Sequence, residues 1–270
     1  MAMFKNKVIT YPFKKISFDI NSIIKPITNT HPNTMAIMKT LNKSNLYDVD
    51  LTNIETTNRV LHILNKYSGY SLVNQLKYVS YDRDNNPLFK VFEQSRIYNG
   101  NLFEDTYKIS ISYLHELYSK PEYCVVNPYV KGKIQYLKDI GFLKFGITSN
   151  NDKITTNILL DKLYSNNINP DIIIQKEYNN SFKYKDIKPF ECVHIGSHIC
   201  DIIEANNYGC LSIGLLDKIL YDDIKTNRIN MYNSGAQYVI TDIRMLIDIF
   251  SVNTSSYYGS VYEWYNTNKK

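Results

Sequence analysis

An open, mainly parallel α/β sheet of Rossmann-like type, with a helical segment inserted after its first strand, is the fold class this sequence predicts. Three observations carry that expectation. Short β-branched apolar runs recur with helical stretches between them. Several of these runs end on an acid or a hydroxyl. A long stretch with helical spacing separates the first run from the others. Strands covered on both faces read as continuous apolar runs rather than as alternating ones, which is the pattern here.

The first run, Lys15 to Ile20 (KISFDI), places Asp19 near its end. Residues 26–120 change character: Met35 to Met38, Leu61 to Leu64 and Tyr107 to Leu117 carry helical spacing, interrupted by polar text such as YDRDNN at 81–86. Strand–helix alternation resumes after Pro121. Val130 to Ile140 reads as a helix stopped by Gly141, and Leu143 to Thr148 as a strand running into Ser149-Asn150-Asn151. Asp152 to Tyr164 is amphipathic, and Asp171 to Ile174 is the next strand. Cys192 to Ile195 follows, with Gly196 turning the chain and a helix from Asp201 to a stop at Gly209. Leu211 to Leu215, then Gly235 to Thr241, give the last strands, and Met245 to Phe250 a closing helix. The residues after Ser251 read as a loose polar, Tyr-rich tail.

Composition narrows the class of function. The 270 residues, 44% hydrophobic, suffice for a sizeable core. A net charge of +5 spread along the chain gives no basic patch, so nucleic acid is not expected as a partner. No apolar run approaches the roughly 20 residues that span a bilayer, and the first residues lack the apolar centre of a signal peptide. Four cysteines without CxxC spacing suit reduced thiols, so a soluble, cytoplasmic protein without a membrane partner is expected. The abundance of Asn, Ile, Lys and Tyr follows AT-rich codons and says little about activity.

Parallel sheets bind ligands beyond the carboxyl ends of their strands. Three such ends carry polar groups: Asp19, Ser149, and Ser197 with Asp201. A carboxylate at the first could attack phosphorus or bind a metal, and a hydroxyl at the second could hold a phosphoryl oxygen beside a helix N-terminus. Asp201 could complete an oxygen set for Mg²⁺. A rival set, Cys192-x-His194-x₃-His198-x-Cys200, offers four zinc ligands at a spacing that matches no common zinc module.

These motifs, across most of the chain, resemble the haloacid dehalogenase superfamily. FDINSII at 18–24 resembles its first motif, FGITSN at 145–150 its second and HIGSHICDI at 194–202 its fourth. The opening is similar to a bacterial subgroup whose motif reads SFDIFDTL, and 235–250 to the closing strand and helix of phosphoglycolate-phosphatase-like members. The resemblance implies a core of 1–25 plus 121–250, a helical cap of 26–120 and a tail of 251–270. It implies Asp19 as nucleophile, Ser149 and Asn150 as phosphate-binding, and Asp19 with Asp201 around Mg²⁺. Lys183 or Lys185 would supply the third-motif lysine, with Lys183 favoured as both catalytic and phosphate-binding.

Three positions depart from the pattern. Asn21 stands where phosphatases of the superfamily carry an acid–base Asp, and an amide cannot shuttle a proton near neutrality. Ile23 replaces a Thr or Val, and Ser197 replaces the first acid of the fourth motif. His198 could bind a phosphate oxygen or stand in for the lost acid–base group. The expectation is a phosphohydrolase-type site, weakened or inactive, facing a phosphorylated small molecule. The alternatives are an active Mg²⁺-dependent hydrolase with an aspartyl intermediate, and a non-catalytic scaffold with protein partners.

Overall fold

The computed structural model describes residues 12–28, 30–43, 53–67, 69–81, 102–175, 188–216, 223–250 and 256–269. Strand β1 (Lys15–Asp19) is buried at every position, and it pairs in parallel on both sides. Its neighbours are β4 (Lys144–Ser149) and β6 (Cys192–Gly196). Beyond β4 lies β5 (Ile172–Gln175); beyond β6 lie β7 (Leu211–Leu215) and β8 (Tyr238–Ile240). All five pairings are parallel, in the order β5-β4-β1-β6-β7-β8. The predicted α/β sheet is therefore present, with the first strand in its centre. The chain fills one side of β1 and then crosses to the other, so the carboxyl ends of β4, β1 and β6 flank the switch point where such sheets bind ligands.

Helices cover the sheet: α6 (Val130–Asp139), α7 (Lys153–Ser165), α8 (Ile199–Tyr208), α9 (Ile224–Asn233) and α10 (Leu246–Phe250). Local chemistry sets their ends. Asp152 caps α7 by accepting the N–H groups of Ile154 and Thr155, and Gly209 stops α8 in a left-handed conformation (φ 85°) that few other residues adopt cheaply.

Between β1 and α6 the described residues are mainly helical, as the spacing predicts. A single turn, α1 (Ile20–Ile23), follows Asp19 directly. After it come α2 (Pro32–Lys43), α3 (Ile54–Lys66), α4 (Leu72–Tyr81) and α5 (Leu102–Ser119). Two short strands that the sequence did not announce, β2 (Ile24–Lys25) and β3 (Val125–Val126), pair antiparallel where the chain enters and leaves this region. They hold the two ends of the insertion together. Its buried face, including Ile37, Val60, Leu64, Leu76 and Leu114, is continuous with the core that holds Phe18, Phe145 and Ile147.

The expected loose tail is corrected by the structure. Helix α11 (Ser256–Asn268) buries Val261 and lays Trp264 and Tyr265 against Phe13, at centroid distances of 6.1 and 5.8 Å. Tyr265 also meets Phe190 edge-on at 5.7 Å. Such aromatic pairs contribute about 0.5–1.5 kcal/mol each beyond area burial, enough to dock a helix whose remaining face is polar. No helix among the described residues is long and apolar enough to cross a membrane.

Candidate functional site

Asp19 ends β1 fully buried, and its Oδ2 accepts the Asn21 N–H at 2.9 Å. The turn that follows is thus fixed by the same carboxylate, and Ser22 Oγ donates to the Asp19 carbonyl at 2.6 Å. Asn21 is buried beside it. Tyr118 is buried too, and burial first, then the Asp19 carboxylate, push its phenol well above the usual range. It stays neutral in contact with the carboxylate's field.

Asp201 reaches the same hollow from the first turn of α8. Its Oδ2 accepts the His198 N–H at 3.1 Å, and its Oδ1 accepts Asn150 Nδ2 at 3.2 Å. Asp201 sits in the first turn of α8, where the helix dipole favours negative charge. Gly196 makes this approach feasible, since a Cβ there would come 2.4 Å from Asp201 Cβ.

His198 completes the group. Its Nδ1 lies 3.1 Å from Ser197 Oγ and 3.7 Å from Asp201 Oδ2. One ligand atom each from Asp19, His198 and Asp201 lie within 4.8 Å of one another, and all three residues are buried. This donor set fits a divalent cation: two carboxylates supply charge, and the imidazole supplies a lone pair when neutral. Asp19 and Asp201, named from the sequence as metal ligands, are therefore brought together. His198, named as catalytic, joins them.

The predicted phosphate-binding residues divide. Asn150, buried, bonds to Asp201 and so belongs to the hollow. Ser149, at the neighbouring strand end, shares a hydrogen bond of 2.8 Å with Thr156 Oγ1 and accepts the Asn151 N–H at 3.2 Å. The N-cap of the following helix is Asp152. Lys183 and Lys185 lie outside the described residues. The zinc alternative separates: Cys192 packs with Ala205 and Cys210, and His194 Nδ1 meets Ser17 Oγ at 3.0 Å inside the sheet.

Two contributors come from the helical insertion, where residue spacing carries little signal. Gly69, between α3 and α4, offers its carbonyl to Asn150 Nδ2 at 3.3 Å and to Cys200 Sγ at 3.4 Å. A Cβ on Gly69 would sit 2.4 Å from His198 Cβ and Cγ, so only glycine permits this approach. His31, just before α2, meets the His198 ring edge-on at 5.6 Å. Burial first, and His198 second, lower its pKa to about 3, so it is neutral across the physiological range. Its Nδ1 accepts the Asn33 N–H at 3.2 Å, which assigns the ring proton to Nε2. A glycine between two helices, in a chain with only ten glycines, is the one hint the sequence held.

No family model and no curated protein matches the chain. Solved structures do. A phosphonoacetaldehyde hydrolase-like protein from Oleispira antarctica aligns with a TM-score of 0.66 at 12% identity, over 95% of this chain and 94% of its own. A predicted phosphoglycolate phosphatase from Haemophilus somnus aligns at 0.59 and 15% identity, over 88% and 97%. A haloacid dehalogenase-like hydrolase from Bacteroides fragilis aligns at 0.56 and 14%, over 87% and 100%. At these identities the likeness establishes a shared fold, that of the haloacid dehalogenase-like hydrolases.

Proposed function

We propose that this chain, built on the fold of the haloacid dehalogenase-like hydrolases, is a metal-dependent phosphohydrolase of small phosphorylated molecules with an impaired proton-transfer step. The convergence of Asp19, Asp201 and His198 in one buried hollow at the strand ends carries the reading. A carboxylate oxygen of Asp19 attacks phosphorus, the ester P–O bond breaks, and the leaving oxygen departs with the bonding pair. Water then attacks the aspartyl phosphate, releasing phosphate and restoring the carboxylate. Asp19, His198 and Asp201 would hold a divalent cation, which neutralises phosphoryl charge when bound. Asn150 positions Asp201, and the helices of residues 26–120 act as a cap that excludes water.

Asn21 limits what this site hydrolyses. It gives no proton to the leaving oxygen and takes none from water. General acid–base help contributes about 10²–10⁴-fold, so alkyl phosphates are expected to turn over slowly. Aryl and acyl phosphates, whose leaving groups need no proton, are expected to react by that margin faster. The test compares p-nitrophenyl phosphate with glycerol phosphate in the presence of divalent metals, using Asp19→Asn as control. A phosphoenzyme trapped by acid quench in the wild type, and absent in Asp19→Asn, supports the reading. Phosphate-induced thermal stabilisation without any turnover would favour instead a binding protein that retains the fold, a role the Asn21 and Ser197 replacements also suit.

A further inference from the structure

We propose that the metal position selects a first-row transition dication of the Mn²⁺, Fe²⁺, Co²⁺ or Zn²⁺ class over Mg²⁺, with His198 as its nitrogen ligand. The proposal rests on the reading of the hollow as a metal-dependent site, and it concerns which metal that site takes.

Mg²⁺ is a hard ion that keeps oxygen donors and several waters, and it dehydrates reluctantly. Imidazole nitrogen suits Zn²⁺, Fe²⁺ and their neighbours, whereas carboxylate and water suit Mg²⁺. At the position after Gly196 the chain carries the neutral Ser197, and the next residue brings a ring nitrogen. The structure places that ring against the two carboxylates, with ligand atoms mutually within 4.8 Å. Donors about 2.0–2.2 Å from a common ion lie up to roughly 4 Å apart, so a small closure forms the set.

The ring is held for this role. Ser197 Oγ engages Nδ1 at 3.1 Å, the His198 N–H is tied to Asp201 at 3.1 Å, and His31 presses edge-on at 5.6 Å. The Gly69 backbone closes the remaining side with no room for a Cβ. Partners that fix ring orientation are the usual companions of a metal-binding histidine. Two carboxylates bring a dication to overall neutrality inside the buried hollow, and a neutral imidazole adds a nitrogen donor without disturbing that balance. Among the described residues no other group of histidine, cysteine and acidic side chains converges in this way.

The experiment titrates chelator-treated full-length protein with Mg²⁺, Mn²⁺, Co²⁺ and Zn²⁺, reading calorimetric affinity, thermal shift and the visible d–d spectrum of bound Co²⁺. Wild type is expected to bind Co²⁺ and Zn²⁺ at least about 100-fold more tightly than Mg²⁺. His198→Ala is expected to cut that preference at least about 10-fold, to change the Co²⁺ spectrum, and to leave Mg²⁺ affinity within about 3-fold. His198→Asn, which keeps a polar donor, is the second variant should the alanine fail to fold. Unchanged Co²⁺ affinity and spectrum in a folded His198 variant overturns the proposal, as does equal affinity for Mg²⁺. Those outcomes leave Asp19-dependent hydrolysis standing. Loss of hydrolysis with every metal, alongside intact His198-dependent Co²⁺ binding, instead overturns the phosphohydrolase reading and keeps this one.

Discussion

The two ends of β1 bury opposite charges, and they differ in what surrounds them. At the carboxyl end Asp19 faces Asp201, His198 and Asn150, delivered by two neighbouring strands and roofed by Gly69 from the insertion. At the amino end Lys15, fully buried, lies in register with Cys192, which packs against Cys210. Its side chain crosses β4 where Gly146 leaves room, since a Cβ there would come 2.9 Å from Lys15 Cε. Burial, only partly offset by the two sulfurs, lowers the Lys15 pKa to about 8. One end gathers charged and polar donors around a hollow; the other packs a cation among sulfur and backbone. Burial of an ionisable group therefore does not by itself mark a site, whereas convergence of donors from several strands does.

The sharpest way to break this contrast is Asp19→Asn. It keeps the acceptor for the Asn21 N–H, so stability is expected to stay within about 1 kcal/mol while hydrolysis falls by at least about 10³-fold. Parallel urea unfolding and rate measurements read both; equal losses in each would erase the distinction between the two ends. Lys15→Met probes the opposite end. The wild-type fold favours the neutral amine, so its stability is level below about pH 8 and rises as pH climbs toward 10.5, where the unfolded chain also loses the proton. That window amounts to on the order of 3 kcal/mol. Lys15→Met is expected to flatten the difference between pH 7.5 and 10 while leaving turnover unchanged. Identical pH slopes for the two proteins would show that burial does not lower the Lys15 pKa.

Gly69→Ala sharpens the description of the roofed end. Its Cβ would strike His198, and such overpacking costs about 1–3 kcal/mol, here paired with weakened Co²⁺ binding. An alanine variant as stable and as tight as wild type would mean that the turn lies farther from the ring. The smallest effect is expected on the outer surface of the insertion. Glu116 takes hydrogen bonds from Lys39 and Lys120, which hold its carboxyl below the usual range, yet all three are solvent-facing. Glu116→Gln should leave the urea unfolding midpoint nearly unchanged, because exposed ion pairs contribute little.

How much of this was legible follows the physics of each signal. The sheet was readable because strands buried on both faces must be apolar along their length, and because Asp19 and Asp201 interrupt or follow such runs where a solvated loop would not need them. Ser149 reads as a phosphate hydroxyl at a strand end, and in the fold that hydroxyl bonds to Thr156 and accepts the Asn151 N–H; the partners a hydroxyl takes leave no trace in spacing. His31 left no signal, and Gly69 only the hint of a glycine between two helices, because helix-to-helix packing rather than periodicity carries them to His198. The tail misled because its polarity hides the two aromatic residues that dock it.

The Gly69 carbonyl latches the insertion to the sheet. Its two tethers, an amide donor and a thiol donor, are each worth only about 0.5–1.5 kcal/mol net, so parting both demands little. Cys200→Ala would remove one tether and leave the Asn150 amide as the other.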